Sequence, residues 1–175
     1  IEKLGMPGGV FEVRVTALAE GEIGAHGLER VEFMVSANPG QPSRPLNKVA
    51  SGGELSRISL GLQVVTARVG RIPALIFDEV DVGIGGGVAE IVGRQLRTLG
   101  GKRQVLCITH LPQVAAQGHH HLQVSKHKKA GAAVVQIQTL PPKERVAEIA
   151  RMLGGVEITR QTLAHAEDML SRASA

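Results

Sequence analysis

The segment Ala-Leu-Ile-Phe-Asp-Glu at residues 74–79 carries the strongest structural signal in the sequence. Its four apolar residues are too few for a helix and follow Pro73, so they predict a buried strand. Residues 105–108 form a second such run, and an amphipathic helical pattern lies between the two, with apolar positions at Val88, Ile91, Val92, Leu96 and Leu99. A strand, a helix and a strand joined by short connections form a βαβ unit, which predicts two parallel strands and an α/β fold.

Polar side chains follow both predicted strands, Asp78 and Glu79 after the first and Thr109 and His110 after the second. The carboxyl ends of parallel strands meet at one edge of a sheet, where ligands of open α/β sheets bind. Asp78 is a candidate Mg²⁺ ligand because hard cations prefer oxygen, and Glu79 is a candidate for polarising an attacking water. A solvated strand end with surface acids is the alternative, and the acidic pair by itself does not decide between them.

Residues 51–54 read Ser-Gly-Gly-Glu, a capping box that predicts the start of a helix. The helix should bury a stripe and stop before Pro73, with apolar positions at Leu55, Ile58, Leu62, Val65 and Val69 and Gly70 as the stop. Each glycine in the box costs about 0.5–1 kcal/mol relative to alanine in a helix. We interpret Gly52 and Gly53 as bare backbone that lets a phosphate approach the helix N-terminus, with Ser51 as a further donor.

The flanking segments predict smaller elements. Residues 10–16 and 31–35 are expected to pair as antiparallel strands, with loops at residues 20–27 and 38–45. A short helix over 111–117 should precede a hairpin of strands 121–125 and 132–138 that turns at 128–131. Two C-terminal helices complete the prediction, the first closed by Gly154-Gly155 and the second capped by Thr159 and ending near Arg172.

Composition limits the class of protein. The 175 residues suggest one domain, and 43% hydrophobic with 21% charged residues is typical of a globular chain. No apolar run reaches the roughly 18 residues of a membrane span, and a lone Cys107 excludes a disulfide framework. The absence of Trp and Tyr leaves little for base stacking. A cytoplasmic protein is expected, and because the first residue is Ile1 we expect a piece of a longer chain.

Charge is distributed unevenly along the chain. Residues 1–32 contain six acidic and three basic residues, whereas residues 119–145 contain one acidic residue and a basic set of Lys126, Lys128, Lys129, Lys143 and Arg145. The basic set indicates either a phosphate-binding patch or a solvated hairpin tip.

Three motifs carry a resemblance to a known family. Residues 49–57, Val-Ala-Ser-Gly-Gly-Glu-Leu-Ser-Arg, resemble the signature motif of ABC-type ATPases, residues 75–79 resemble their Walker B strand, and residues 108–110 resemble their switch-histidine loop. Their order and spacing agree with that family. Glu54, where transporters have Gln, resembles the signature motif of the SMC and DNA-repair branch of that family. Further similarity to bacterial double-strand-break repair members of that branch extends from about residue 4 to about residue 170.

The resemblance implies a fold and a domain. Residues 1–175 would be the C-terminal lobe of an ABC/SMC-type P-loop ATPase head, with a parallel βαβ core, an antiparallel strand pair and C-terminal helices. Walker A would lie in an N-terminal lobe beyond a coiled coil, since no G-x-x-x-x-G-K-[ST] pattern occurs here. The chain alone is therefore expected to be inactive as an ATPase.

The resemblance also implies residue roles, with ATP and Mg²⁺ as cofactors. Asp78 would hold Mg²⁺, Glu79 would activate water and His110 would contact the γ-phosphate. Nucleotide-binding roles would fall to Ser51, Gly52, Gly53, Glu54 and Asp81, with Ser51 and Gly53 reaching the ATP held by a second subunit. This sequence departs from the family pattern at Gly85, which stands near the position of an Asp that contacts the partner in many relatives, while Asp81 lies at an earlier position.

The implied partners are the N-terminal Walker A lobe, a second copy joined through ATP-sandwiched heads, and double-stranded DNA, with no membrane. The implied function is ATP-dependent double-strand-break repair and recombination in the cytoplasm, at the nucleoid.

The sequence also allows four other interpretations. A transporter ATPase domain would carry Walker A well before the signature, yet only 50 residues precede Ser51. A non-enzymatic DNA-tethering module would use the basic set. Cys107 with His110 would make a thiol nucleophile and its base, although Cys107 lies in an apolar strand. Residues 119–121 are three histidines that would suggest zinc, although neighbouring strand residues point to opposite faces.

Overall fold

The computed structural model describes residues 1–48, 51–67, 72–129, 132–154 and 157–174. Its strands and helices follow the chain in the order β1 Val10–Ala17, β2 Glu29–Ser36, β3 Arg44–Pro45, α1 Gly52–Val65, β4 Ala74–Phe77, α2 Gly86–Gly100, β5 Gln104–Cys107, α3 Pro112–Ala115, β6 Leu122–Lys129, β7 Ala132–Thr139, α4 Pro142–Leu153 and α5 Arg160–Ser174. Short 3₁₀ turns occur at Glu2–Leu4, Glu20–Glu22 and Leu46–Lys48. None of the helices in these ranges has both the length and the apolar character needed to cross a membrane.

The predicted βαβ unit is confirmed. β4 and β5 pair in parallel, with Ala74 opposite Gln104 and Phe77 opposite Cys107, and α2 is the connection between them. The apolar positions of α2 face the main core, where the buried residues include Ala89, Val92, Leu96 and Leu99. Val105 and Cys107 pack against the same core.

The expectation that both strands are buried is wrong for one face of the sheet. Phe77 is buried, but Ile76 is 72% exposed and Leu106 is 44% exposed. Successive strand residues point to opposite faces, and in this chain the main core covers only the face that carries Phe77 and Cys107. An apolar run without alternation is typical of strands that are covered on both faces. The sequence pattern therefore predicts a second packing layer, which the described residues do not form.

The antiparallel pair is also confirmed. β1 and β2 pair from Val10 with Ser36 to Ala17 with Glu29. The loop expected over residues 38–45 is corrected at its end, because Arg44 and Pro45 pair with β2 as the two-residue strand β3. Proline has no N–H to donate, so a strand of this kind suits the edge of a sheet.

The β1–β2 ribbon has one apolar face. One face carries apolar residues of both strands, namely Phe11, Val13, Val15, Val31, Phe33 and Val35. Phe11 and Val35 reach the main core, whereas Val13, Val15, Val31 and Phe33 stay exposed. The outer half of the ribbon therefore presents an apolar face to solvent.

Helix α1 is shorter than the sequence predicts. It ends at Val65, and the Thr66 N–H closes the last turn onto the Leu62 carbonyl. Residues 68–71, which include Val69 and the predicted stop at Gly70, lie outside the described residues. The buried side chains of α1 include Ile58 and Leu60, while Leu55 and Val65 of the predicted stripe are exposed.

The C-terminal part forms a second cluster around Ile149 and Ala166, which joins α3, α4 and α5. The short helix over 111–117 is confirmed as α3. The hairpin is confirmed as β6 and β7, but β6 continues to Lys129, into the turn predicted at 128–131, and residues 130–131 lie outside the described residues. Thr159 Oγ1 accepts the Thr162 N–H at 3.2 Å and so caps α5 as predicted. The Arg145 guanidinium donates to the carbonyls of Ala115, Ala116 and Gly118, which fixes the end of α3 against α4.

Candidate functional site

The loop that follows β4 places two carboxylates side by side. Asp78 Oδ1 accepts the Glu79 N–H at 2.9 Å, and the Ser56 hydroxyl of α1 donates to the Asp78 carbonyl at 2.8 Å. Among the residues described here, Glu79 is the one non-glycine residue with a positive φ, at 58°. Such a conformation costs of order 1–3 kcal/mol and is maintained by surrounding contacts. The chain therefore turns sharply at Glu79, as soon as β4 has ended.

The N-terminus of α1 packs directly on this loop. Ser51 is the N-cap and accepts the Glu54 N–H at 3.4 Å, so the predicted cap is confirmed. A Cβ at position 52 would collide with the Glu79 carboxylate. A Cβ at position 53 would lie 2.9 Å from the Val82 carbonyl oxygen and 3.3 Å from that of Glu79. Both glycines thus have a close neighbour within their own chain, whereas the sequence predicts a phosphate as the group that approaches them.

Arg57 ties the helix to the same loop. Its side chain is buried and its Nη1 donates to the Val82 carbonyl at 2.7 Å. Burial lowers the pKa of the guanidinium, and Glu54 opposes that effect. Arg57 belongs to the signature-like motif, but the sequence predicts no role for it. The available signal was a charged residue one position before Ile58, on the side of the helix that becomes buried.

Asp81 bonds the loop after β4 to the loop after β5. Its carboxylate accepts from the Thr109 hydroxyl, from the His110 N–H at 3.1 Å and from the Leu111 N–H at 3.3 Å. The His110 Nδ1 lies 3.3 Å from the same Oδ2. Asp81 is only 2% exposed, so its carboxylate faces its own chain.

The structure brings most of the predicted site residues together. Asp78 and Glu79 follow β4, His110 follows the parallel strand β5, and the Gly52-Gly53 turn of α1 contacts Glu79. The His110 side chain is 68% exposed, so its ring is accessible from solvent. Two carboxylates, an imidazole and a helix N-terminus on one side are able to bind an anion, carry a cation and orient water.

The thiol alternative does not fit the geometry. Burial, with smaller contributions from Asp81 and Asp78, raises the pKa of the Cys107 thiol to about 12. The thiolate is the reactive form, so Cys107 stays an unreactive thiol near neutral pH.

Two of the three histidines of the zinc alternative lie beside the Arg145 guanidinium, which makes structural hydrogen bonds. Burial lowers the pKa of His119 and of His121, and the Arg145 guanidinium adds to both effects. Within the described ranges no group of three or more His, Cys, Asp or Glu side chains is arranged to hold a metal ion.

Part of the basic set lies on the hairpin. Lys126 and Lys128 are exposed and share one face of β6 with Val124, which lies opposite Ile137 of β7. The side chain of Lys129 lies outside the described residues. This face is therefore mixed, with apolar residues at the base and two lysines toward the turn.

Solved structures share this arrangement of elements. The Smc head domain with a coiled coil from Pyrococcus yayanosii has a TM-score of 0.61 at 20% identity, covering 87% of this chain and 27% of that one. A chain from work on ATP-driven dimerization and DNA-stimulated activation of SMC ATPases has a TM-score of 0.55 at 18% identity, covering 89% of this chain and 88% of that one. The fold is that of an SMC-type ATPase head, with the parallel βαβ core of its C-terminal lobe.

Sequence relatives narrow this class. The chain is 58% identical over 144 residues to the DNA repair protein RecN of Vibrio cholerae, covering 82% of this chain and 26% of that protein. It is 50% identical over 170 residues to RecN of Xylella fastidiosa, covering 97% of this chain and 30% of that protein. The chain is similar to RecN proteins over most of its own length, and it spans about three tenths of the length of these relatives. No model of a protein family matches it.

Proposed function

We propose that this chain is the C-terminal head lobe, over residues 1–175, of an ATP-dependent DNA double-strand-break repair and recombination protein. The observation that carries the proposal is the contact between the glycine-rich start of α1 and the Asp78-Glu79 loop. It joins a signature-like helix end to a Walker B-like acid pair. The RecN relatives, named as DNA repair proteins, favour this function over that of a transporter ATPase domain.

The residues of the site would contact two different ATP molecules. Glu79 would orient the attacking water and His110 would contact the γ-phosphate of an ATP bound to its own head. Ser51, Gly52, Gly53 and Glu54 begin α1, and the N–H groups there would meet the γ-phosphate of ATP held by a second head. Phosphoryl transfer requires mainly positioning and charge neutralisation, and these residues supply both.

The donor set at the end of β4 suits Mg²⁺. Asp78 Oδ1 is used by the Glu79 N–H, which leaves Oδ2 without a partner among the described residues. Mg²⁺ is commonly bound through one or two carboxylates together with phosphate oxygens and water. Asp78 would hold the ion, which would neutralise phosphate charge, and the nucleotide and the N-terminal lobe would supply the other ligands.

The N-terminal Walker A lobe would cover the open face of the β4–β5 sheet. Ile76, Leu106 and Ile108 are exposed on or next to that sheet, and the outer half of the β1–β2 ribbon adds Val13 and Val31. Burying apolar area stabilises by about 25 cal/mol per Å², so these faces favour a large apolar partner. Without Walker A the lobe would bind ATP weakly and would not hydrolyse it.

The head would act as an ATP-sandwiched homodimer on double-stranded DNA. One structural relative comes from work on ATP-driven dimerization and DNA-stimulated activation, which supports extending both properties to this protein. ATP would join two heads and hydrolysis would release them. The protein would work in the cytoplasm, at the nucleoid, where its DNA substrate lies.

The test is ATP turnover by the full-length parent protein carrying Glu79→Gln, with and without linear duplex DNA. We expect kcat to fall by about 100-fold or more while ATP still binds, because the general base is lost and the shape is kept. Glu167→Gln on the exposed surface of α5 is the matched control and should hydrolyse ATP normally. Normal turnover by Glu79→Gln would overturn the Walker B role.

A further inference from the structure

Asp81 is a buried carboxylate whose partners all come from one loop. Its Oδ2 receives the Thr109 hydroxyl and the N–H groups of His110 and Leu111, and the His110 Nδ1 lies 3.3 Å from it. Among the described residues, His110 is also the one ion-pair partner of Asp81. A buried charge is costly unless it is paired and hydrogen-bonded, so the loop over residues 109–111 is what allows Asp81 to be buried.

The position of Asp81 makes the two catalytic loops one unit. It stands two residues after Glu79, on the turn whose Val82 carbonyl is held by Arg57. Its bonds to residues 109–111 then fix the loop that carries His110. A shift of either loop would break the hydrogen bonds to the Asp81 carboxylate. The loop that carries Glu79 and the loop that carries His110 therefore keep a fixed position relative to each other.

The contact with Nδ1 also determines how His110 can act. A carboxylate accepts only, so a hydrogen bond from the ring to Asp81 requires hydrogen on Nδ1, as in other imidazoles oriented by a carboxylate. The other nitrogen, Nε2, is left for a ligand, and the side chain is 68% exposed. To donate to a phosphate oxygen Nε2 must carry hydrogen as well, and the Asp81 carboxylate then balances the positive ring.

We infer that Asp81 is a positioning residue for ATP hydrolysis, which holds the His110 ring through Nδ1 so that Nε2 meets the γ-phosphate. Asp81 does not touch the nucleotide. The inference rests on the proposed function, because it assigns a partner to a residue of that same site.

A double-mutant cycle in the full-length protein tests the inference. ATP turnover is measured for wild type, Asp81→Asn, His110→Ala and the double variant. We expect Asp81→Asn to lower kcat by about tenfold or more, with KM for ATP changed by less than about threefold. In the His110→Ala background the same substitution should have no further effect, because residues that act through each other are not additive.

Two additional variants complete the design. Asp168→Asn on α5 removes a carboxylate that pairs with Arg172 at the surface, and it should leave kcat unchanged. If Asp81→Asn fails to fold, Thr109→Val removes one donor to Asp81 and keeps the carboxylate. It should also lower kcat, and should do so only while His110 is present.

The outcomes separate this inference from the proposal on which it rests. A multiplicative loss in the double variant, or wild-type kcat in Asp81→Asn, would overturn the positioning role even though Glu79→Gln is inactive. Normal turnover in Glu79→Gln would overturn the proposed function and this inference with it. Loss of kcat in Asp81→Asn that disappears in the His110→Ala background supports the positioning role.

Discussion

The carboxyl edge of the β4–β5 sheet and the open face of the same sheet differ in the contacts that their side chains make. At the edge, Asp81 and Arg57 are buried and bonded to neighbouring loops of this chain. On the open face, Ile76 and Leu106 have solvent in place of a partner. The loops of the proposed site are therefore held by contacts within this chain, whereas one face of the sheet has exposed apolar side chains.

The largest effect should come from adding a methyl group at the edge. Gly53→Ala would place a Cβ 2.9 Å from the Val82 carbonyl and 3.1 Å from Arg57 Nη1. Because backbone has to move, we expect unfolding free energy to fall by about 1–3 kcal/mol, measured by urea denaturation. Gly87→Ala in α2 meets nothing within 4 Å, so it should be neutral or stabilise by about 0.5 kcal/mol. Equal effects at the two positions would show that the edge is loosely packed.

The effect on stability of substitutions on the open face should depend on whether the rest of the full-length protein is present. Ile76→Thr with Leu106→Thr should change the stability of residues 1–175 by less than about 0.5 kcal/mol, because both side chains are exposed. In the full-length protein the pair should cost about 1–3 kcal/mol, since the side chains would be buried there. Thermal unfolding of both forms measures the difference, and Val92→Thr in the core of α2 should destabilise both. A small cost in the full-length protein would mean that this face stays open.

The smallest effect concerns Cys107, on the covered face next to exposed Leu106. Its pKa is raised to about 12 from an ordinary 9.0. A thiol reagent at pH 8 should therefore modify the folded chain far more slowly than the denatured chain. The raised pKa favours the folded state below pH 9.0, and that contribution should be lost as the pH rises toward about 12. Rapid modification at pH 8 would show that the covered face opens readily.

Local patterns predicted the elements because their causes are local. The Ser51 cap, the short run at Ala74–Phe77 and the Thr159 cap depend on residues within one turn or one strand. The sequence does not predict the pairing of β3, since that pairing depends on contact with β2, and it places the end of α1 too late. Strand ends and motif spacing predict Asp78, Glu79 and His110 as site residues, whereas no local pattern predicts the bonds of Asp81, which join two loops far apart in the sequence.

The sequence by itself determined the parallel βαβ unit and which chemistry stands at its edge, because strand ends and helix caps are set by neighbouring residues. Only the tertiary structure decided that Asp81 turns inward to His110, that Gly52 and Gly53 accommodate the Glu79 loop, and that one face of the sheet is open. Those outcomes depend on which segments far apart in the chain come into contact. Residue 81 and residue 110 are 29 positions apart, and only folding brings them within hydrogen-bonding distance.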